Sequence, residues 1–326
     1  MHSSTSNSDS EIASAKASRA LAALLLGILA LSLAIESVAR FGFTRLSQIQ
    51  RRIHREYVAA KEIRPVAADG HPTVLLLGNS LMLAGVDMPA LNSLVSDELQ
   101  PSRYVIENTQ FLDWYFALRR LFEEGARPSH IVLGLVTNHL ASRAVLGEYF
   151  GHYMMDGRDV VAAASAAGLD STAASNLLFA NWSSWLGSKA EMRNWVAGHA
   201  IPDTARLAGY LAPAGPRQGV RLSDYRGLVG DRLNSLKSLC RAHGAEISIL
   251  LMPNRQISDA DVAVLREAGA SAGVQILIPL GMRELPESSY LDGFHLNQGG
   301  ADLFTHRLSI ALRNWVAAGA AAPAGS

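Results

Sequence analysis

The chain has 326 residues, 49% of them hydrophobic, and its 29 basic and 29 acidic side chains leave a formal net charge of zero. That balance, with no basic cluster beyond one stretch near the N-terminus, gives no footprint for nucleic acid, and a single cysteine excludes an internal disulfide or a cysteine-based zinc site. No metal-binding or cofactor motif emerges, and about 250 residues behind the N-terminal segment suit one α/β domain.

Residues 1–19 form a polar, Ser-rich tail containing Lys16 and Arg19. Ala20 to Ile35 is an uninterrupted apolar run, extended to Ala39 by a segment whose only charge is Glu36. That length just spans a bilayer. We expect residues 20–39 to be an uncleaved transmembrane anchor rather than a secretory signal ending at Ser37-Val38-Ala39, because tail and run are both long for a signal peptide. Residues 40–72 are expected to be a juxtamembrane linker lying near lipid head groups. Its Arg40, Arg45, Arg51, Arg52 and Arg55 outnumber the positive charges before the span, which by the positive-inside rule places the following domain in the cytoplasm.

Beyond the linker, short apolar runs at Val74 to Leu77, Tyr104 to Glu107, Ile131 to Leu135, Glu246 to Leu251 and Val274 to Ile278 alternate with helical patterns. The helices are expected at Pro89 to Glu98, Trp114 to Glu124, Leu222 to His243, Asp259 to Ala272 and Ala301 to Val316. This is the rhythm of a parallel sheet in a three-layer α/β/α arrangement with right-handed crossovers. Cys240, between apolar neighbours on one of those helices, reads as a buried structural thiol. Residues 141–221 interrupt the rhythm with alanine-rich helical pieces, then Trp182, Trp185 and Trp195, then a return through Pro213, Gly215 and Pro216. Such an insertion can overhang a site and offer aromatic rings to sugar faces, or its tryptophans can simply pack it against the domain. Arg193 is a candidate for anion binding or an ordinary surface arginine, and Trp114 either lines a pocket or begins a helix's core face.

Two local patterns carry chemistry. Ser80, in Gly78-Asn79-Ser80-Leu81 directly after the first apolar run, sits on the turn at a strand end, where ligands bind in open α/β folds. Gly78 is expected to permit a tight turn there. Far downstream, Asp292-Gly293-Phe294-His295 supplies an imidazole and a carboxylate. A serine hydroxyl becomes a good nucleophile when an imidazole takes its proton, and a carboxylate fixes that imidazole's tautomer. Ser80, His295 and Asp292 are therefore the candidate nucleophile, base and orienter.

Leu77-Gly78-Asn79-Ser80-Leu81 resembles the first block of the SGNH/GDSL hydrolase superfamily, and Asp292-Gly293-Phe294-His295-Leu296-Asn297 resembles its last. The resemblance covers roughly Thr73 to Val316 without the insertion, and implies a catalytic domain over 73–316, with 317–326 as a flexible tail. It further implies an oxyanion hole built from the Ser80 N–H, a second-block backbone N–H and a third-block asparagine. Asn138 matches the third block. The second block lacks the family's usual glycine, which leaves Thr109 or Gln110 to supply the N–H. Anchored members of the family face the periplasm or cell exterior, the placement adopted here against the arginine count. They resemble proteins that add or remove acyl groups on cell-envelope polysaccharides, often beside a multi-span membrane acyltransferase. The expectation is thus an anchored serine O-acyltransferase or esterase. A non-catalytic glycan-binding or assembly subunit and a lipid or small-ester hydrolase are the alternatives.

Overall fold

The apolar runs form five strands, β1 (Thr73–Gly78), β2 (Gln100–Val105), β3 (His130–Leu135), β4 (Glu246–Leu251) and β5 (Gln275–Leu277), all parallel in the order β2-β1-β3-β4-β5. The computed structural model describes residues 6–200, 226–281 and 283–321. Val74 and Leu76 are buried on one face of β1 and Leu75 and Leu77 on the other. Burial on both faces is why a parallel strand reads as a continuous apolar run.

Before the sheet come α1 (Ser6–Ser37), a π-helical turn (Val38–Phe43) and α2 (Gln48–Glu62). After β1 follow α3 (Ser80–Gly85) and α4 (Met88–Val95), and after β2 comes α5 (Phe111–Glu123). The insertion contributes α6 (Glu148–Tyr153), α7 (Val160–Ala167), α8 (Ser171–Trp182) and α9 (Ser184–Ala200). Among the described residues, α10 (Arg226–Ala242), α11 (Asp259–Ala272) and α12 (Gln298–Ala321) follow.

On one face of the sheet Leu81 and Met82 of α3, Leu91 of α4, and Phe304 and Leu308 of α12 cover Val74, Leu76, Val132 and Leu250. On the other, Ile53 of α2, Trp114 and Leu118 of α5, Leu233 of α10 and Leu265 of α11 cover Leu75, Leu77, Leu133 and Ile249. This is the expected three-layer α/β/α fold. Cys240 is buried, as its neighbours implied.

Three elements differ from expectation. Helix α12 begins at Gln298 and runs to Ala321, past the expected end at Val316 and into the expected flexible tail. β2 begins at Gln100, four residues before the apolar run, because it is an edge strand, where Pro101 and Arg103 are tolerated. The expected linker contains α2, a helix that covers this edge: Arg103 Nη2 pairs with Glu56 at 2.8 Å, and Arg52 Nη2 reaches both Glu107 oxygens at 2.6 and 2.7 Å. Arg52 Nη1 also donates to the Val105 carbonyl at 2.7 Å, at the carboxyl end of β2. Past the far end of α2, the Ile63 carbonyl accepts from Arg127 N at 3.0 Å, before β3 begins. Helix α2 therefore runs antiparallel to the strands. The return through Pro213, Gly215 and Pro216, and the start of the helix expected from Leu222, lie outside the described residues.

Helix α1 and the π-helical turn include one stretch, Lys16–Phe43, long and apolar enough to cross a membrane. Leu24, Leu26 and Leu31 along it are 60%, 65% and 63% exposed.

Candidate active site

β1 ends at Gly78, and the chain turns at once into α3, whose first residue is Ser80. Asn79 caps that helix, its Oδ1 accepting the Leu81 N–H at 3.1 Å. Gly78 is not in the left-handed region. Its need for glycine is spatial: a Cβ there would lie 2.9 Å from both the Gly134 carbonyl oxygen and Met82 Cβ. This corrects the tight-turn expectation, since it is the close approach of the Gly134 carbonyl and Met82 that excludes a side chain. Gly78 pairs with Val105 on one side and Gly134 on the other, so the loops after β1, β2 and β3 share one sheet edge.

Asp292 and His295 lie on a loop between β5 and α12. The loop is closed by the Tyr290–Leu296 bridge and by Leu291 N donating to His295 O at 2.8 Å. Gly293 turns it at φ 84°, a conformation that glycine adopts without strain. Asn297 Oδ1 then accepts from Gly300 N at 3.1 Å and starts α12.

This loop carries His295 Nε2 to 2.9 Å from Ser80 Oγ, and its Nδ1 to 2.7 Å from Asp292 Oδ2. For Nε2 to accept the serine proton, Nδ1 carries the hydrogen and donates it to Asp292. Asp292 Oδ1 also accepts the backbone N–H groups of His295 at 2.8 Å and Phe294 at 3.0 Å. The His295 N–H, followed by its ring and then the Phe294 N–H, holds the carboxyl down at about 2. Asp292 is therefore ionised wherever the protein works near neutral pH.

Beneath Ser80 lies a buried polar network in which sequence reasoning singled out only Thr109 and Trp114. Asn79 Nδ2 donates to the Thr109 carbonyl at 3.0 Å, and Thr109 Oγ1 donates to Ile106 O at 2.6 Å and accepts from Trp114 Nε1 at 2.8 Å. His139 stands edge-on to Trp114, with ring centroids 5.8 Å apart, and its Nδ1 is 3.4 Å from Asn79 Nδ2. Burial lowers the His139 pKa to about 4, which keeps this imidazole neutral. The available signal was positional: Asn79 precedes the serine and His139 follows Asn138, both at strand ends.

The candidate oxyanion donors divide. The Gln110 N–H is already given to Asp113 Oδ2 at 2.8 Å in the capping box of α5, which removes Gln110 as a free backbone donor. The Thr109 N–H has no partner among the described residues. Asn138 lies in the 3-10 turn Thr137–Leu140 directly after β3, and its exposed side chain has no hydrogen-bond partner among the described residues. Asp113 Oδ1 accepts from Leu146 N at 2.9 Å, joining the second loop to the chain beyond the third.

Of the alternatives open for the four candidate substrate-binding residues, the structure gives Trp114 the core face and Arg193 an exposed surface position. Trp114 is fully buried with its N–H committed to Thr109, so it belongs to the core behind the site. Trp182 and Trp185 are exposed on α8 and α9, and the backbone N–H of Trp185 is donated to Glu36 at 3.1 Å. Arg193 is exposed on α9. The start of α9 thus lies against the exit of α1, where Glu36 accepts its backbone N–H groups. A cavity of about 380 Å³ lined by Lys237, Arg241, Gln275 and Trp315 opens at the other sheet edge, by the start of β4.

No family model matches the sequence and no curated protein is similar to it. Similar solved structures include TesA, 12% identical over 74% of this chain and 98% of that chain, with a TM-score of 0.39. An acylhydrolase from Bacteroides fragilis NCTC 9343 is 11% identical over 81% and 96% of the two chains, with a TM-score of 0.41. A catalytic mutant of the acetylxylan esterase Axe2 from Geobacillus stearothermophilus is 11% identical over 74% and 94%, with a TM-score of 0.37.

Proposed function

We propose that the chain is a membrane-anchored serine enzyme of acyl transfer, acting on O-acyl esters of a cell-envelope glycan from the extracytoplasmic side. The observation that carries the chemistry is the hydrogen-bonded row Ser80–His295–Asp292, at 2.9 and 2.7 Å.

In this reading His295 Nε2 takes the Ser80 proton as Oγ attacks the ester carbonyl, and the imidazolium is stabilised by Asp292. The oxyanion of the tetrahedral intermediate accepts from the N–H groups of Ser80 and Thr109 and from the Asn138 amide. His295 returns its proton to the departing alkoxide, leaving an acyl group on Ser80. An incoming hydroxyl then gives its proton to His295, attacks the acyl carbon and releases Ser80. Water as that hydroxyl makes the enzyme an esterase, and a sugar hydroxyl makes it an O-acyltransferase. We place transfer ahead of hydrolysis, with a multi-span membrane acyltransferase as the source of acyl groups. Support for the anchor comes from α1, whose exposed leucines have no polar face to offer water. Support for the glycan comes from the architecture, a single apolar span ahead of a domain whose two blocks resemble the SGNH superfamily, which is the arrangement of its anchored, glycan-modifying members.

Incubation of the full-length protein with an activated acetyl ester, followed by peptide mass analysis, tests this directly. An acetyl group on the Ser80 peptide that is discharged faster by added polysaccharide than by water is the expected result. Failure to acylate Ser80 overturns the mechanism, and discharge indifferent to polysaccharide overturns transfer.

A further inference from the structure

Glu36 is the only charge within the apolar run, and the structure gives it a specific task. Its Oε1 accepts Ser184 N at 2.6 Å, while its Oε2 accepts Ser183 Oγ at 2.7 Å and Trp185 N at 3.1 Å. The carboxylate therefore caps the start of α9, where the helix dipole favours negative charge. Farther along, Phe43 meets Trp195 edge-on with centroids 6.2 Å apart, and Glu191 accepts from Ser47, Gln50 and Tyr149. Helix α9 is thus strapped to the exit of α1 at successive levels.

What surrounds this joint has the chemistry of a bilayer interface. Val38 and Phe41 of the π-helical turn are 61% and 60% exposed, and beside the joint Phe179 and Trp182 are 52% and 70% exposed. Of the chain's five tryptophans, Trp114 and Trp315 are buried and the three on α8 and α9 are not. Exposed Arg45, Arg51 and Arg55 follow immediately. Tryptophan is favoured at head-group depth, and arginine is attracted to anionic head groups. The same joint starts α2, whose Arg52 is fixed at the carboxyl end of β2, the sheet edge that carries Ser80.

We propose that α8, α9 and the π-helical exit of α1 form a collar seated in the head-group layer of an anionic bilayer, holding the Ser80 edge of the sheet towards the membrane. Acyl esters would then be met at the lipid surface, not in bulk solvent. The proposal rests on the reading of α1 as a membrane anchor.

Cys240 is the only cysteine and is buried, so a cysteine introduced at the surface can be labelled selectively. Full-length Trp182→Cys, Phe179→Cys and Ala68→Cys variants, each carrying an environment-sensitive fluorophore, would be reconstituted into vesicles of phosphatidylethanolamine and phosphatidylglycerol and floated on a density gradient. Ala68 lies in the exposed turn before β1, at the opposite sheet edge. Lipids with a nitroxide near the head group should quench positions 182 and 179 several-fold more than position 68. Equal quenching in floated protein overturns the collar while leaving the anchor intact. Protein that does not float overturns collar and anchor together, whereas acylation of Ser80 reports the chemistry independently of both.

Discussion

His295 Nε2 lies 2.9 Å from Ser80 Oγ although 215 residues separate them in the chain. Ser80 is presented by the end of a central strand and His295 by a loop pinned to the start of α12, so the fold itself sets the distance. Asp292 holds the ring from behind with one oxygen and is held by two backbone N–H groups through the other. Such preorganisation lets the imidazole act without first being turned.

Asn138 has an exposed side chain with no partner among the described residues, at the end of a strand paired with β1. Its replacement by alanine is expected to lower kcat by about 100- to 1,000-fold with little change in KM, the effect of removing a donor used only in the transition state. A proportional rise in KM at unchanged kcat would show that Asn138 binds substrate instead.

Thr109 ties Ile106 and Trp114 together through one buried hydroxyl and holds Asn79, below Ser80, through its carbonyl. Thr109→Val keeps the volume but orphans the Trp114 N–H, and should cost about 1–3 kcal/mol of stability. An unchanged thermal midpoint would contradict the network as described.

Gly78→Ala forces a Cβ against the Gly134 carbonyl and Met82, and should cost about 1–3 kcal/mol while lowering kcat by displacing Ser80. Gly227→Ala in α10 meets no atom within 4 Å and should instead be neutral or stabilising by up to about 1 kcal/mol. Equal effects at both positions would remove the steric argument.

Burial pushes the Asp113 carboxyl up to about 7, against the N–H groups of Leu146 and Gln110. The folded protein therefore keeps a proton there that the unfolded chain releases near its ordinary value of about 3.9. Stability from this group declines as pH rises from about 4 through about 7, since the unfolded state binds fewer protons across that window. Thermal midpoints should fall across it in the wild type and fall less in Asp113→Asn. Identical pH slopes would show that Asp113 is ionised in the folded state.

The legible parts of the sequence were those whose cause is local. β1, β3 and β4 are buried on both faces, so their apolar runs mark them, and Ser80 and Asp292-x-x-His295 carry their turns in their own residues. β2 was displaced because it is an edge strand whose Arg103 is satisfied by Glu56, a partner invisible along the chain. Helix α2 was missed for the same reason: Ile53 and Ala60 are buried among polar neighbours that pair with β2 and the loop after it. Gly78 owes its identity to Gly134 on another strand, and the start of α9 is capped by Glu36, which lies far from it in the sequence. Each of these depends on a contact that exists only once the chain has folded.

The most direct test of the central claim is fluorophosphonate labelling of the detergent-solubilised full-length protein, beside folded Ser80→Ala and His295→Ala variants. An activated serine predicts covalent labelling of the wild type at Ser80, none in Ser80→Ala, and labelling slowed about a thousandfold or more in His295→Ala. Labelling that persists in Ser80→Ala, or proceeds at the wild-type rate without His295, would contradict the account.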